Sequence, residues 1–185
     1  DQFMGSGTTL VEAKLLNRNA IGVDINPQSV SISETNLQFQ CETKSKIHTR
    51  CANATDLSFI KDSHIDFICT HPPYANIIKY SKNVDGDISL LTVEEFLKEM
   101  TVVAQEAYRV LRKGKACAVM IGDMRRYGKV VPLGFWVMEC FLSVGFVSKE
   151  IIIKEQHNCR STDYWEKQNN NFLLLAHEYI FVFQK

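Results

Sequence analysis

Two short stretches carry residues whose types and spacing can do chemistry. The first is Gly5-Ser6-Gly7-Thr8-Thr9, which runs straight into apolar residues at helical spacing. Glycines let the backbone turn tightly and approach a ligand with no Cβ in the way. The start of a helix then offers free N–H groups and a partial positive charge to a carboxylate or phosphate. Asp24 follows Gly7 by 17 positions, at the end of the apolar run Ala20-Ile21-Gly22-Val23. A carboxylate there can accept both hydroxyls of a ribose, as in dinucleotide folds, where the spacing is about 20. The glycines alone fit a structural turn equally well; with Asp24 they point to a nucleoside-type cofactor. A phosphate loop would need Lys where Thr8 stands, and a nicotinamide fingerprint a third glycine where Leu10 stands.

The second stretch is Thr70-His71-Pro72-Pro73-Tyr74, directly after the apolar run from Ile65 to Cys69. Two prolines cannot continue a central strand, so the chain must leave the sheet here in a stiff turn. That puts His71 and Tyr74 at the carboxyl edge of a sheet, where α/β folds bind substrates. The alternative is a rigid loop with a surface aromatic.

The elements that would position these residues alternate. The spacing predicts a helix from Thr9 to Asn17, a strand at Ala20–Val23, and a helix opened by Pro27 and running to about Phe39. Strands are expected at Ile47–Cys51 and Ile65–Cys69. A long amphipathic helix follows from Val93 to Leu111, with Gly114 as the left-handed residue past its end. Further on come a strand at Ala116–Ile121 and a helix at Leu133–Val144 stopped by Gly145. The strands Val147–Lys154 and Phe172–Phe183 have no helix between them. Alternation implies a mostly parallel sheet with helices on both faces, and the closing strands an antiparallel pair. The chain opens on Asp1-Gln2-Phe3-Met4-Gly5 with no strand before it, so the sheet is expected with its first, central strand truncated. No repeat or linker divides residues 1–185, which read as one domain.

Composition bounds the partners. Lys+Arg and Asp+Glu both number 21, and hydrophobic residues make up 45%. Zero net charge argues against a dedicated nucleic-acid coat while allowing a local basic patch. The densest basic stretch is Lys113, Lys115, Arg125, Arg126 and Lys129, either solvated surface or a phosphate contact. No apolar run approaches the roughly 20 residues of a membrane span. The six cysteines (Cys41, Cys51, Cys69, Cys117, Cys140, Cys159) are scattered. They read as reduced thiols of a cytoplasmic protein rather than as zinc ligands or disulfides.

The run from Asp1 to Ala13 resembles the cofactor motif of DNA methyltransferases that modify adenine N6 or cytosine N4, which use S-adenosylmethionine. Ile21-Gly22-Val23-Asp24-Ile25-Asn26-Pro27 is similar to their ribose-binding strand end. His71-Pro72-Pro73-Tyr74 is similar to their catalytic tetrapeptide, whose first residue is usually Asp, Asn or Ser. His177-Glu178-Tyr179-Ile180-Phe181-Val182-Phe183 resembles their last strand. The resemblance implies a Rossmann-like class I methyltransferase fold that needs no metal. Asp1, Phe3, Gly5 and Gly7 would frame the methionine part of the cofactor and Asp24 the ribose hydroxyls, with Ser6, Thr8 and Ile25 also in cofactor contact. Asn53 would accept from the adenine amine through its side-chain oxygen, with Asp56 as a rival. The first side chain of the tetrapeptide and a carbonyl of Pro72 or Pro73 would accept hydrogen bonds from the target NH2, and Tyr74 would stack on an extruded base. His71 departs from the family pattern and must be neutral to accept. The polar loop around Cys159, Arg160, Tyr164 and Trp165 is a candidate nucleic-acid contact. DNA is the first expectation for the substrate. Similar tetrapeptides occur in RNA base methyltransferases and in enzymes that methylate protein glutamine, and a non-catalytic binding domain stays open.

Overall fold

A computed structural model describes residues 1–77, 84–156 and 172–185. Its elements alternate as their apolar periods dictate: α1 (Thr8–Leu15), β1 (Ala20–Asp24), α2 (Pro27–Asn36), β2 (Ile47–Cys51), β3 (Ile65–Thr70), α3 (Val93–Val110), β4 (Leu111–Ile121), β5 (Met124–Arg126), β6 (Lys129–Val131), α4 (Leu133–Ser143), β7 (Val147–Glu155) and β8 (His177–Gln184). Strand β1 pairs parallel with β2, and β3 parallel with β4. Strand β8 then runs antiparallel between β4 and β7, the expected closing antiparallel pair. This is an α/β Rossmann-like sheet with one interruption.

The interruption lies between β1 and β3. Among the described residues no strand joins the pair β1-β2 to the sheet β3-β4-β8-β7. A groove of about 940 Å³ runs there, lined by Leu10, Ile21, Leu57, Ile65 and Phe67 among others. Phe67 is 58% exposed, unusual for a strand that parallel sheets bury on both faces. Residues 1–4 close the groove at its carboxyl end. The Asp1 nitrogen donates to Ile21 O, Val23 N donates to Asp1 O, and Met4 N donates to Val23 O. On the other side Gln2 N donates to Thr70 Oγ1, and that hydroxyl donates to Asp1 Oδ1 at 3.0 Å. Four residues thus stitch β1 to β3.

Helix α3 spans both halves. Thr92 and Glu95 form a reciprocal capping box at its start. Its stripe of Phe96, Met100, Val103, Ala104, Ala107 and Val110 joins a core that includes Val23 of β1, Ile68 of β3 and Phe181 of β8. Arg109 of α3 donates to the carbonyls of Leu57 and Ile60, and Glu106 accepts from Leu57 N at 2.7 Å. Those bonds fix the segment after β2.

Several element ends differ from expectation. The long helix stops at Val110 without a glycine cap, because Leu111 enters β4 at once and pairs with Ile65. Gly114 (φ +77) instead bends the start of β4, its N–H donating to Lys185 O. Helix α2 ends at Asn36, with Leu37 as its cap. The last strand begins at His177, not Phe172, whose ring lies 4.1 Å under the Arg125 guanidinium. The β5–β6 hairpin was not anticipated.

Thr70→Val tests the stitch. It keeps the shape but leaves the buried Gln2 N–H and one Asp1 oxygen without the hydroxyl, which costs about 1–3 kcal/mol for a buried polar group left unpaired. Urea unfolding monitored by circular dichroism should give that loss; a change within about 0.5 kcal/mol would show that the core alone holds β1 against β3.

Candidate active site

The carboxyl ends of β1 and β3 open on a cleft of about 490 Å³, within the range of small-molecule sites. The glycine turn forms one wall. Gly5 (φ +51) and Gly7 (φ +84) both adopt left-handed backbone, so the chain reverses and delivers α1 toward the cleft. The start of helix α1, Thr8 and Thr9, lines the cleft beside Ser6, and it has no side-chain cap and no acidic residue in its first turn to offset its partial positive charge. Asp24 closes that wall: Gly5 N donates to its Oδ2 and Asn26 N to its Oδ1, each at 2.9 Å. Both oxygens keep a further lone pair for a ligand hydroxyl.

Asp1, Phe3 and Ile25 also line the cleft. The Asp1 carboxylate has its Oδ1 tied by Phe3 N and Thr70 Oγ1. Asn53 lines the cleft; the rival Asp56 does not. Asp56 is exposed, and the Ser58 backbone N–H that it accepts holds its carboxyl below the usual range. Asn53 is turned, however. Its Oδ1 accepts from Thr55 N at 3.0 Å, which orients the amide, and Nδ2 points toward Gly86. The Asn53 side-chain oxygen keeps a second lone pair beside that bond.

The other wall is the tetrapeptide. Strand β3 ends at Thr70, and His71, Pro72 and Pro73 line the cleft directly after it. Buried Ala75 (φ +44) turns the chain away. Tyr74 does not line the cleft. Its ring packs on the core, and its hydroxyl donates to Glu178 Oε1 at 2.7 Å and accepts from Gly122 N at 2.9 Å. His71 Nε2 lies 3.3 Å from that hydroxyl. Partial enclosure lowers the His71 pKa below the ordinary imidazole value; Glu178 opposes this and Lys154 adds to it.

Sequence reasoning missed Gly86, Asp87, Ser29 and Met120, which also line the cleft. Asp85-Gly86-Asp87 is a turn signal that could have found the first two. A Cβ on Gly86 would sit 2.9 Å from Asn53 Nδ2 and 3.0 Å from Ile25 Cδ1. The basic stretch divides: Lys113 and Lys115 lie at the start of β4, roughly 20 Å along the strand from the hairpin carrying Arg125, Arg126 and Lys129. The loop around Cys159, Arg160, Tyr164 and Trp165 lies outside the described residues.

Gly7 is buried and holds no place in the lining; it sets helix packing. A Cβ there would fall 2.2 Å from Ser33 Oγ on α2, whereas one on Gly5 would meet nothing within 4 Å. Both positions carry left-handed strain of about 1–2 kcal/mol for a non-glycine residue. Gly5→Ala should cost about that much in urea unfolding, and Gly7→Ala a further 1–3 kcal/mol or so from the clash. Equal losses would remove the Gly7–Ser33 contact from the account.

Residues 1–35 and 65–185 match the N6/N4 family model described as DNA methylase. A 38-residue stretch is 53% identical to the type II methyltransferase M.MjaII of Methanocaldococcus jannaschii, covering 20% of this chain and 7% of that protein. The chain therefore spans a small part of that relative. A SAM-dependent methyltransferase of Methanosarcina mazei aligns over 98% of this chain and 89% of its own, with TM-score 0.63 and 17% identity. The cytosine-N4-specific PvuII DNA methyltransferase aligns over 72% of this chain and 47% of its own, with TM-score 0.58 and 17% identity. The fold is shared with both, and by the family match this chain belongs to the DNA methylases of the N6/N4 type.

Proposed function

We propose that this chain uses S-adenosylmethionine to methylate an exocyclic amine of a base in DNA, adenine N6 or cytosine N4. The observation that carries the reading is the charge of the cleft. Asp1, Asp24 and Asp87 line it, and no Lys or Arg does among the described residues. A phosphate-rich dinucleotide would be repelled there, whereas a ligand with a positive sulfur and an amino group is attracted. The remaining parts fit that molecule: the uncapped start of α1 for its carboxylate, Asp24 for ribose hydroxyls, and the Asn53 amide for its adenine. S-Adenosylmethionine supplies an electrophilic methyl group.

The chain's own residues would hold the acceptor of that methyl. An aromatic amine is a weak nucleophile because its lone pair is delocalised into the ring. Acceptors aimed at its hydrogens favour a pyramidal nitrogen and stabilise the positive charge that grows on it. Neutral His71 and a carbonyl of Pro72 or Pro73 are the candidates at the cleft wall. Fixing the amine there against the cofactor accounts for up to ~7–11 kcal/mol of barrier in favourable cases. Beside this wall the β5–β6 hairpin offers Arg126, bonded to Asn76 at 3.0 Å, and Tyr127, 94% exposed. Cation and exposed aromatic together suit a nucleic-acid strand.

Radiolabelled methyl transfer to DNA, RNA and protein, with the full-length protein, tests the substrate. Label in DNA alone supports the reading, and label in RNA or protein alone overturns it. Asp24→Ala should weaken cofactor binding at least about tenfold by calorimetry, one lost charged hydrogen-bond set being worth ~1.5–3 kcal/mol; unchanged affinity would remove Asp24 from the ribose role.

The pH profile tests His71. Only the neutral ring accepts, so single-turnover methylation should fall as pH drops through the His71 pKa. Because that pKa is lowered, the acid limb belongs below the ordinary value of about 6.5. His71→Asn should flatten the limb, and His71→Ala should slow transfer about 100-fold above the His71 pKa, the difference shrinking below it as the native ring protonates. A His71→Ala enzyme with full rate and the same limb would make His71 a bystander.

A further inference from the structure

The last strand places a carboxylate behind the tetrapeptide. Glu178 of β8 is 7% exposed, and its cross-strand neighbour Lys154 of β7 donates to its Oε2 at 2.6 Å. Burial alone would raise the Glu178 carboxyl, but the hydrogen bonds from Lys154 and Tyr74 outweigh it and hold the group below the usual range. Glu178 is therefore ionised near neutral pH and can only accept. Its Oε1 takes the hydroxyl of Tyr74 at 2.7 Å and lies 3.7 Å from His71 Nε2.

Counting protons bears on which imidazole nitrogen carries the hydrogen. A phenol has one proton and two lone pairs. The Tyr74 proton goes to Glu178, the short and charge-assisted bond. Gly122 N–H occupies one lone pair at 2.9 Å, and His71 Nε2 stands 3.3 Å from the same oxygen. With no phenol proton left to receive, Nε2 must bring its own. A neutral ring protonated on Nε2 has a bare Nδ1.

We infer that Glu178 is the positioning residue that, through Tyr74, sets the Nε2–H tautomer of His71 and leaves Nδ1 as the acceptor toward the cleft. The inference deepens the proposed function, and its catalytic consequence rests on that reading, because Nδ1 is the atom that would meet the target amine. It also gives a histidine, donor or acceptor by tautomer, a fixed acceptor character at a position where the family usually has Asp, Asn or Ser. The motif residue and the strand residue that disciplines it are 107 positions apart. Tyr74 then serves as a relay between Glu178 and His71, its hydroxyl held by Glu178 and Gly122.

The test is the tautomer itself, read by ¹⁵N imidazole shifts in long-range ¹H–¹⁵N spectra of the labelled chain above the His71 pKa. The His71 signals are assigned by their loss in His71→Asn. The native chain should show a protonated Nε2 and a pyridine-like Nδ1. In Glu178→Gln the amide NH2 can donate to the phenol oxygen and free the Tyr74 proton for Nε2, so the His71 population should move toward Nδ1–H. The same variant should lower the maximal methyl-transfer rate by about tenfold or more, with cofactor affinity unchanged. A native ring protonated on Nδ1, or a Glu178→Gln ring that stays fully on Nε2–H, overturns the inference. If the variant does not fold, the native spectrum alone still decides the tautomer. If the native tautomer is as stated and flips in Glu178→Gln but no DNA is methylated, the substrate reading falls and the positioning role of Glu178 stands.

Discussion

Residues 1–4 carry the constraint on which the rest depends. The glycine wall of the cleft rides on β1, and the tetrapeptide wall rides on β3. Those strands have no strand between them among the described residues. Their distance is set where Asp1, Gln2 and Met4 bond across, with α3 and the shared core behind. Two halves of one site are thereby held in register by backbone N–H groups, a threonine hydroxyl and one carboxylate. The same aspartate lines the cleft, so a structural tie and a binding surface coincide in Asp1.

Behind each wall stands a second layer that points the first. Arg109 and Glu106 fix the segment from Leu57 to Ile60, close after Asn53. Thr55 orients the Asn53 amide, Gly86 leaves room for it, and Gly122 and Glu178 orient Tyr74. Most of these ties run to backbone atoms, whose positions follow from secondary structure. The cleft is therefore shaped by the fold itself more than by its own lining side chains.

The sequence disclosed what is periodic or local. Strands β1, β2 and β3 and helix α3 were legible within a residue or so at each end, because apolar alternation and capping residues are short-range signals. The two chemical stretches do face one cleft: the tetrapeptide follows β3 directly, and the glycine turn is tied to Asp24 at the carboxyl end of β1. Long-range pairing was not legible. Nothing near Tyr74 in the chain announces that its hydroxyl belongs to Glu178, 104 positions on. The three-residue strands of the hairpin are too short for any period to show. Gly114 resembled a helix cap because a left-handed glycine looks the same in sequence whether it ends a helix or bends a strand.

Strand β7 has a consequence for how the protein behaves in bulk solution. All nine of its residues are exposed, Ile151, Ile152 and Ile153 among them, and among the described residues it pairs only with β8. A long, isoleucine-rich edge is the kind of surface that recruits other strands into aggregates. Lys149, Glu150, Lys154 and Glu155 interrupt it with charge, the device by which edges are kept from pairing. Lys154 is also the ammonium that holds Glu178. One lysine thus serves colloidal solubility on the outside of the sheet and proton placement on the inside, and neither role can be altered without touching the other.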